Sequence, residues 1–235
     1  LATTLEQNQS ARRRLLADVS HELRTPLTVL SGEIEALKDG LRSFDRTQLA
    51  SLDQEVQRLR YLVDDLYELS LSDVGGLHYR FETMNLTDSV KSAVESMTSR
   101  ASDRGLTLDF DSESPVPLTV DADPRRIDQL LHNLLENSLA YTDAPGRITV
   151  LLQRDKETAL LRIEDTAPGV SEEECAHLFD ALYRREESRD RRSGGAGLGL
   201  AICRNIVIAH AGAITASRSS AGGLRVDVSI PLAHS

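Results

Sequence analysis

The chain has 235 residues, 40% of them hydrophobic, and a net charge of −10. That content suits a real core and excludes a disordered chain, and the charge argues against a general nucleic-acid binder, which needs a basic surface to meet phosphates. Cys175 and Cys203 are too few for a disulfide framework or a cysteine-rich zinc site, and their apolar, helix-like contexts suit buried thiols in a reducing compartment. Aromatic residues make up 4% with no Trp, so the core is built mostly from Leu, Val, Ile and Ala. No apolar run reaches the roughly 18 residues of a membrane helix. The chain begins at Leu1, already inside helix-like sequence, and is read as part of a longer protein.

The first elements are two long helices. Leu16, Val19, Leu23, Leu27, Leu30, Ile34, Leu37 and Leu41 recur at steps of three or four, the stripe of a helix buried along one side. A break from Asp39-Gly40 to Phe44-Asp45 follows, and Leu49, Leu52, Val56, Leu59, Leu62, Leu66 and Leu69 repeat the pattern. A short connection predicts an antiparallel hairpin, and two helices bury both stripes best by dimerising into a four-helix bundle.

His21 lies two residues from both Val19 and Leu23, about 200° around the helix and opposite the stripe. Glu22 is its neighbour and Thr25 sits one turn later on the same face. Pro26 follows at once, in a helix interior where proline costs roughly 3 kcal/mol. It predicts a bend just past the histidine. An exposed neutral imidazole beside a carboxylate is a competent nucleophile; a solvated polar face is the plainer alternative for a single histidine.

After Gly75-Gly76 the texture changes to strands and helices in mixed order. Strands are expected near Tyr79–Thr83, Thr107–Asp111, Leu118–Asp121, Ile148–Gln153 and Ala159–Glu164. Helices are expected over Leu86–Arg104 and Pro124–Ala140, the second with Asp123 as N-cap and proline in the first turn. A short helix, a charged loop over Arg184–Ser193 and a helix over Leu198–His210 come next. Strands at Ala213–Ser217 and Leu224–Ile230 close the chain around a Gly222-Gly223 turn. The order predicts an α/β sandwich, one sheet with helices on one face.

Three stretches of this half carry polar chemistry. Asn133 and Asn137 are four apart on one helix face, and an asparagine carbonyl can complete the oxygen shell of Mg2+ beside phosphate and water. Asp165 closes a strand before a turn of small residues, where a carboxylate could take a hydrogen bond from the amine of adenine. A plain strand-ending turn is the alternative. Gly194, Gly195, Gly197 and Gly199 gather backbone N–H groups at a helix start, an anion cradle that matches neither a P-loop nor a Rossmann turn. Arg184, Arg185, Arg189, Arg191 and Arg192 lie just upstream, in what reads as a mobile lid. His78, His132, His177, His210 and His234 form no ligand spacing and are read as non-functional.

Taken in order, "SHELRTPL", "NLLENS", "DTAPGV", "LFDALYR" and "GGAGLGLAI" resemble the H, N, G1, F and G2 boxes of sensor histidine kinases, over nearly the whole chain. The resemblance implies a helical hairpin for dimerisation and phosphotransfer over residues 16–74, then an ATP-binding domain of the gyrase and Hsp90 type over residues 79–235. It is to membrane sensors with a HAMP linker, whose exit helix would be residues 1–15, and so implies the cytoplasmic portion of an inner-membrane protein. It implies His21 as phosphoacceptor, Glu22 as its proton partner and Thr25 as the residue positioning water for dephosphorylation of a response regulator. Asn137 would be the Mg2+ ligand with Asn133 beside it. Asp165 would read adenine, with Tyr141 packed near the base and Gly169 in the turn below. Arg184, Gly195, Gly197 and Gly199 would hold phosphates. ATP and Mg2+ are the implied cofactors; a homodimer and a response regulator are the implied partners, with no nucleic acid. Two positions depart from the family pattern: Ala140 stands where Lys is frequent, and Ala167 where the turn usually has Gly. An impaired nucleotide-binding scaffold or phosphatase-only sensor is the alternative reading.

Overall fold

The computed structural model describes residues 20, 23–24, 26–41, 45, 48–49, 51–53, 55–56, 59, 63, 79–183 and 197–233. The chain divides into two units, Leu1–Gly76 and Leu77–Ser235.

In the first unit residues 26–38 are helical, and described residues between 48 and 63 are helical again. The first helix stops at Gly40, whose φ of +69° suits a residue without Cβ; its N–H and that of Leu41 reach back to the carbonyls of Leu37 and Ala36. Asp45 starts the second helix by accepting the N–H of Gln48 at 2.8 Å. The Ser51 hydroxyl donates to the Glu33 carboxylate at 3.1 Å, tying the two helical stretches together. Leu27, Ile34 and Leu41, and again Leu49, Val56 and Val63, are exposed large side chains spaced seven residues apart. Such a repeat is the seam of a coiled-coil bundle. His21, Glu22 and Thr25 lie outside the described residues.

The second unit is a five-stranded mixed sheet with helices on one face. Its strands are β2 (Leu106–Ser112), β4 (Gly146–Asp155), β5 (Thr158–Thr166), β6 (Ala213–Arg218) and β7 (Gly222–Pro231), in the order β2-β4-β5-β7-β6. Only β2 and β4 run parallel; the other neighbours are antiparallel. β1 (Glu82–Asn85) and β3 (Thr119–Ala122) pair with each other in a separate small sheet, where a single sheet was expected. β1 is limited to four residues because Asn85 already caps α1 (Leu86–Asp103).

Strand alternation decides what faces the helices. Ile148, Val150 and Leu152 on β4 lie opposite Asp165, Ile163 and Leu161 on β5, and Ile163 and Leu161 in turn lie opposite Val226 and Val228 on β7. All of these are buried. Above them lie α1, with Val90, Val94 and Met97 buried, and α2 (Pro124–Tyr141), with Ile127, Leu130, Leu131, Leu134, Leu135 and Leu139. α4 (Gly199–Ala209) adds Ile202, Ile206 and Val207. A short α3 (Glu172–His177) begins with a capping box between Ser171 and Glu174. Cys175 and Cys203 are both buried and form no disulfide. Among the described residues no helix is long and apolar enough to cross a membrane.

Asp123 starts α2 as its spacing predicts, its Oδ1 accepting from the N–H groups of Arg125 and Arg126 while Oδ2 accepts from that of Arg80. Burial opposes ionisation of this carboxyl, but the backbone donors of Arg80, Arg126 and Arg125 outweigh it and hold the group below the usual carboxylate range.

Candidate functional site

Asp165 is the polar member of an apolar row. By strand parity it falls on the inward face of β5, only 5% exposed, where its neighbours on that face are Ile163 and Ile148. Beside it the β5–β7 ladder is irregular: Glu164 pairs with Arg225 but Thr166 pairs with Gly222, so the β7 side has one residue more. At this bulge the Leu224 N–H donates to Asp165 Oδ1 at 2.7 Å. Burial pushes the carboxyl up to about 6; the Leu224 N–H and a hydrogen bond from Ser138 on α2 pull the other way, and the charge of Glu164 adds to the rise. Asp165 was expected to end its strand; β5 continues to Thr166.

Glycines make room for this carboxylate. A Cβ on Gly223 would lie 2.2 Å from Asp165 Oδ1, and one on Gly169 would lie 2.5 Å from the Gly222 carbonyl oxygen. Gly222 closes the expected turn, with φ of +98° and its N–H donating to the Ser219 carbonyl at 3.1 Å, and Gly222 and Gly223 also open β7. Ala167 takes no left-handed conformation and its carbonyl accepts the Asp143 N–H at 3.0 Å, so the backbone here does not require glycine.

The C-terminal part of α2 lies beside this corner, and the start of α4 meets the middle of the same helix. Asn133, Asn137 and Tyr141 are spaced one turn apart along it, each half-buried. Ser138, next to this row, reaches Asp165. Asn133 donates from Nδ2 to the Gly199 carbonyl at 3.4 Å. About five residues separate these two contacts, or roughly 7–8 Å of helix rise. Between them lies Asn137, whose amide has no hydrogen-bond partner among the described residues.

The N-terminus of α4 also differs from the other helix starts. Asn85, Asp123 and Ser171 cap α1, α2 and α3 with side chains, but Leu198 gives α4 no such cap. Its first-turn N–H groups keep their capacity to bind an anion. Gly197 has a backbone role as well: φ is +74°, its carbonyl accepts the Leu182 N–H at 2.9 Å, and a Cβ would lie 3.0 Å from the backbone of Leu182 and Tyr183. We expect Gly197→Ala to lower stability by about 1–3 kcal/mol, measured as a fall in melting temperature; unchanged melting would contradict the close approach. Arg184 and Gly195 lie outside the described residues.

The structure therefore brings Asp165, Gly169 and the Gly222–Leu224 backbone together near the C-terminal end of α2, and Gly199 to Asn133 at the middle of that helix. Ser138, Gly223 and Leu224 belong to this site without having been singled out in the sequence. The one available signal for them was strand parity, which makes Asp165 a buried carboxylate in need of donors.

A mixed sheet covered on one face by α1, α2 and α4, with a buried carboxylate and an uncapped glycine-rich helix start, defines an ATPase-type domain. Residues 122–234 match the family of histidine kinase-, DNA gyrase B- and HSP90-like ATPases, and residues 11–75 match the His Kinase A phospho-acceptor domain. The chain belongs to the sensor histidine kinases. It is 50% identical over 233 residues to the signal transduction histidine-protein kinase BaeS of Escherichia coli K12, covering 99% of this chain and 49% of that protein. The chain thus spans about half the length of the curated relatives it matches. Among solved structures, the Acinetobacter baumannii histidine kinase AdeS superposes with a TM-score of 0.75 at 29% identity, covering 91% of this chain and 98% of that one. A histidine kinase, ThkA, solved in complex with the response regulator protein TrrA, shares the fold at a TM-score of 0.72 and 22% identity, over 98% of this chain and 66% of that one.

Proposed function

We propose that ATP bound in the second unit phosphorylates His21 of the first, and that the phosphoryl group then passes to an aspartate of a response regulator. The observation that carries the nucleotide half is Asp165, a carboxylate buried on the helix-covered face of the sheet and held by Leu224 and Ser138. It would accept from the exocyclic amine of adenine, with Gly169 and Gly223 letting the β7 backbone close around the carboxylate and Tyr141 beside the base. Asn133 and the backbone N–H groups around Gly197 and Gly199 would bind the phosphates, a role this reading also assigns to Arg184 and Gly195.

The residues fit a hard divalent cation. Among the described residues no group of three His, Cys, Asp or Glu side chains could hold a metal by itself. A Mg2+ ion, however, takes few protein ligands and completes its shell with phosphate and water oxygens, and the half-buried Asn137 amide oxygen suits that role. When bound, Mg2+ supplies positive charge against the phosphate oxygens.

In the transfer step an imidazole nitrogen of His21 attacks the γ-phosphorus in line. A nitrogen–phosphorus bond forms, the bond to the bridging oxygen of ADP breaks, and Glu22 takes the proton from the second ring nitrogen. The protein's contribution is positioning and charge stabilisation. Thr25 positions water for the reverse duty, dephosphorylation of the regulator. The seven-residue spacing of exposed Leu27, Ile34, Leu41, Leu49, Val56 and Val63 supports a homodimeric four-helix bundle. Val29, exposed and off that seam, suits the regulator's docking face. In the whole protein this portion would lie on the cytoplasmic side of an inner-membrane sensor.

Calorimetric titration with Mg-ADP tests the nucleotide half. Asn137→Ala is expected to weaken Mg-ADP binding by about tenfold, or ~1.4 kcal/mol, while leaving ADP affinity in chelator unchanged. Equal Mg-ADP affinities for parent and variant would remove Asn137 from the metal site.

A further inference from the structure

His210 is a buried imidazole, 4% exposed, that the proposed chemistry does not use. It ends α4, and both ring nitrogens are engaged by backbone. Nδ1 lies 2.7 Å from the Ile206 carbonyl, and Nε2 accepts the N–H of Asp123 at 3.0 Å. A carbonyl can only accept and an N–H can only donate, so the contacts assign the ring proton to Nδ1 and leave Nε2 as the acceptor. Tyr79 stands edge-on to the ring with centroids 5.5 Å apart, and Phe81 lies at 4.9 Å.

Three contacts join α4 to α2 along their length. Asn133 meets Gly199, the Cys203 thiol donates to the Leu130 carbonyl, and His210 meets Asp123. As one partner rises in number the other falls, so the helices are antiparallel and in constant register. The buried residues of the two helices are otherwise almost all apolar, and apolar packing tolerates sliding; the His210–Asp123 bond has a direction and a fixed length. Asp123 in turn accepts the Arg80 N–H, which brings the leading segment Tyr79–Phe81 into the same junction.

We infer that His210 is a positioning residue: through the Asp123 N–H it sets the axial register of α4 against α2, and so fixes where Gly197–Gly199 stands relative to Asn133 and Asn137. This rests on the nucleotide reading of that site. The junction lies at the far end of both helices from the phosphate-facing turn, and it links that turn to residues 79–81 at the start of the second unit.

The test uses the whole chain and Mg-ADP. In a 15N spectrum of the parent, His210 shows a protonated Nδ1 and an unprotonated Nε2. His210→Gln can still offer an oxygen to the Asp123 N–H and binds Mg-ADP within about twofold of the parent. His210→Leu cannot, and binds about tenfold more weakly at temperatures where its melting curve shows it folded, with the amide resonances of Gly197 and Gly199 displaced. Parent-like affinity in folded His210→Leu, or a protonated Nε2 in the parent, overturns the inference. If His210→Leu does not fold, the parent spectrum decides. A parent chain that binds no Mg-ADP overturns the nucleotide reading instead.

Discussion

Asp165→Asn is expected to weaken nucleotide binding by about 100-fold, or ~3 kcal/mol, with little change in volume. The carboxylate already serves the Leu224 N–H through Oδ1 and takes a hydrogen bond from Ser138. An amide has one acceptor oxygen for these donors and the adenine amine together, and turns its own N–H2 toward one of them. The wild-type group also gives the site a pH dependence. Burial pushes its carboxyl up to about 6, and only the ionised form accepts freely, so affinity falls as pH drops through 6. Stability moves the other way. The folded chain binds this proton more readily than the unfolded chain, so the group's protonated form adds stability that is lost as pH rises from the unfolded value near 3.8 through about 6. Calorimetric titration of parent and Asp165→Asn across this window separates the carboxylate from the phosphates, whose titration both share. Parallel profiles for the two chains would contradict the role of Asp165.

Gly223→Ala is expected to be the most disruptive glycine change. The added methyl carbon would stand 2.2 Å from Asp165 Oδ1, 2.4 Å from the Asp165 carbonyl and 2.5 Å from that of Thr166. Two of these atoms are backbone and the third is fixed by Leu224, so β5 and β7 must part. Overpacking of this kind costs about 3 kcal/mol, which for a unit of this size lowers the melting temperature by roughly 6–12 °C. Nucleotide affinity should fall with it, because the carboxylate moves. Gly199→Ala provides the contrast: its nearest neighbour is Asn133 at 3.7 Å, an ordinary contact, and melting should hardly change. Equal melting of the two variants would show that β7 can yield at this point.

Much of the fold was legible because local chemistry and tertiary packing agree. Asp123-Pro124 announces α2, which forms over Pro124–Tyr141, and the apolar stripe beyond it covers the sheet. The alternation from Ala159 to Ile163 announces β5 and, carried two residues further, places Asp165 inward. Pairing was harder to read. Nothing local says that β1 joins β3 rather than the main sheet, since their register links Glu82 to Ala122 across an intervening helix and strand. Gly222-Gly223 reads as a turn because glycine weakens strands, but the pair also opens β7, where the missing side chain of Gly223 accommodates a carboxylate from β5. His210 looked idle for a related reason: its partner Asp123 is 87 residues away, and the bond is to backbone, which leaves no trace in side-chain spacing.

The central claim is tested most directly by incubating the chain with radiolabelled Mg-ATP beside a His21→Gln control and examining the stability of the label. The account predicts label on the parent that is lost in acid and kept in alkali, as a phosphoimidazole requires, and none on the control. Acid-labile label on His21→Gln would contradict the assignment of the phosphoacceptor. No label on a parent chain that binds Mg-ADP would contradict the kinase reading and leave a nucleotide-binding phosphatase or scaffold.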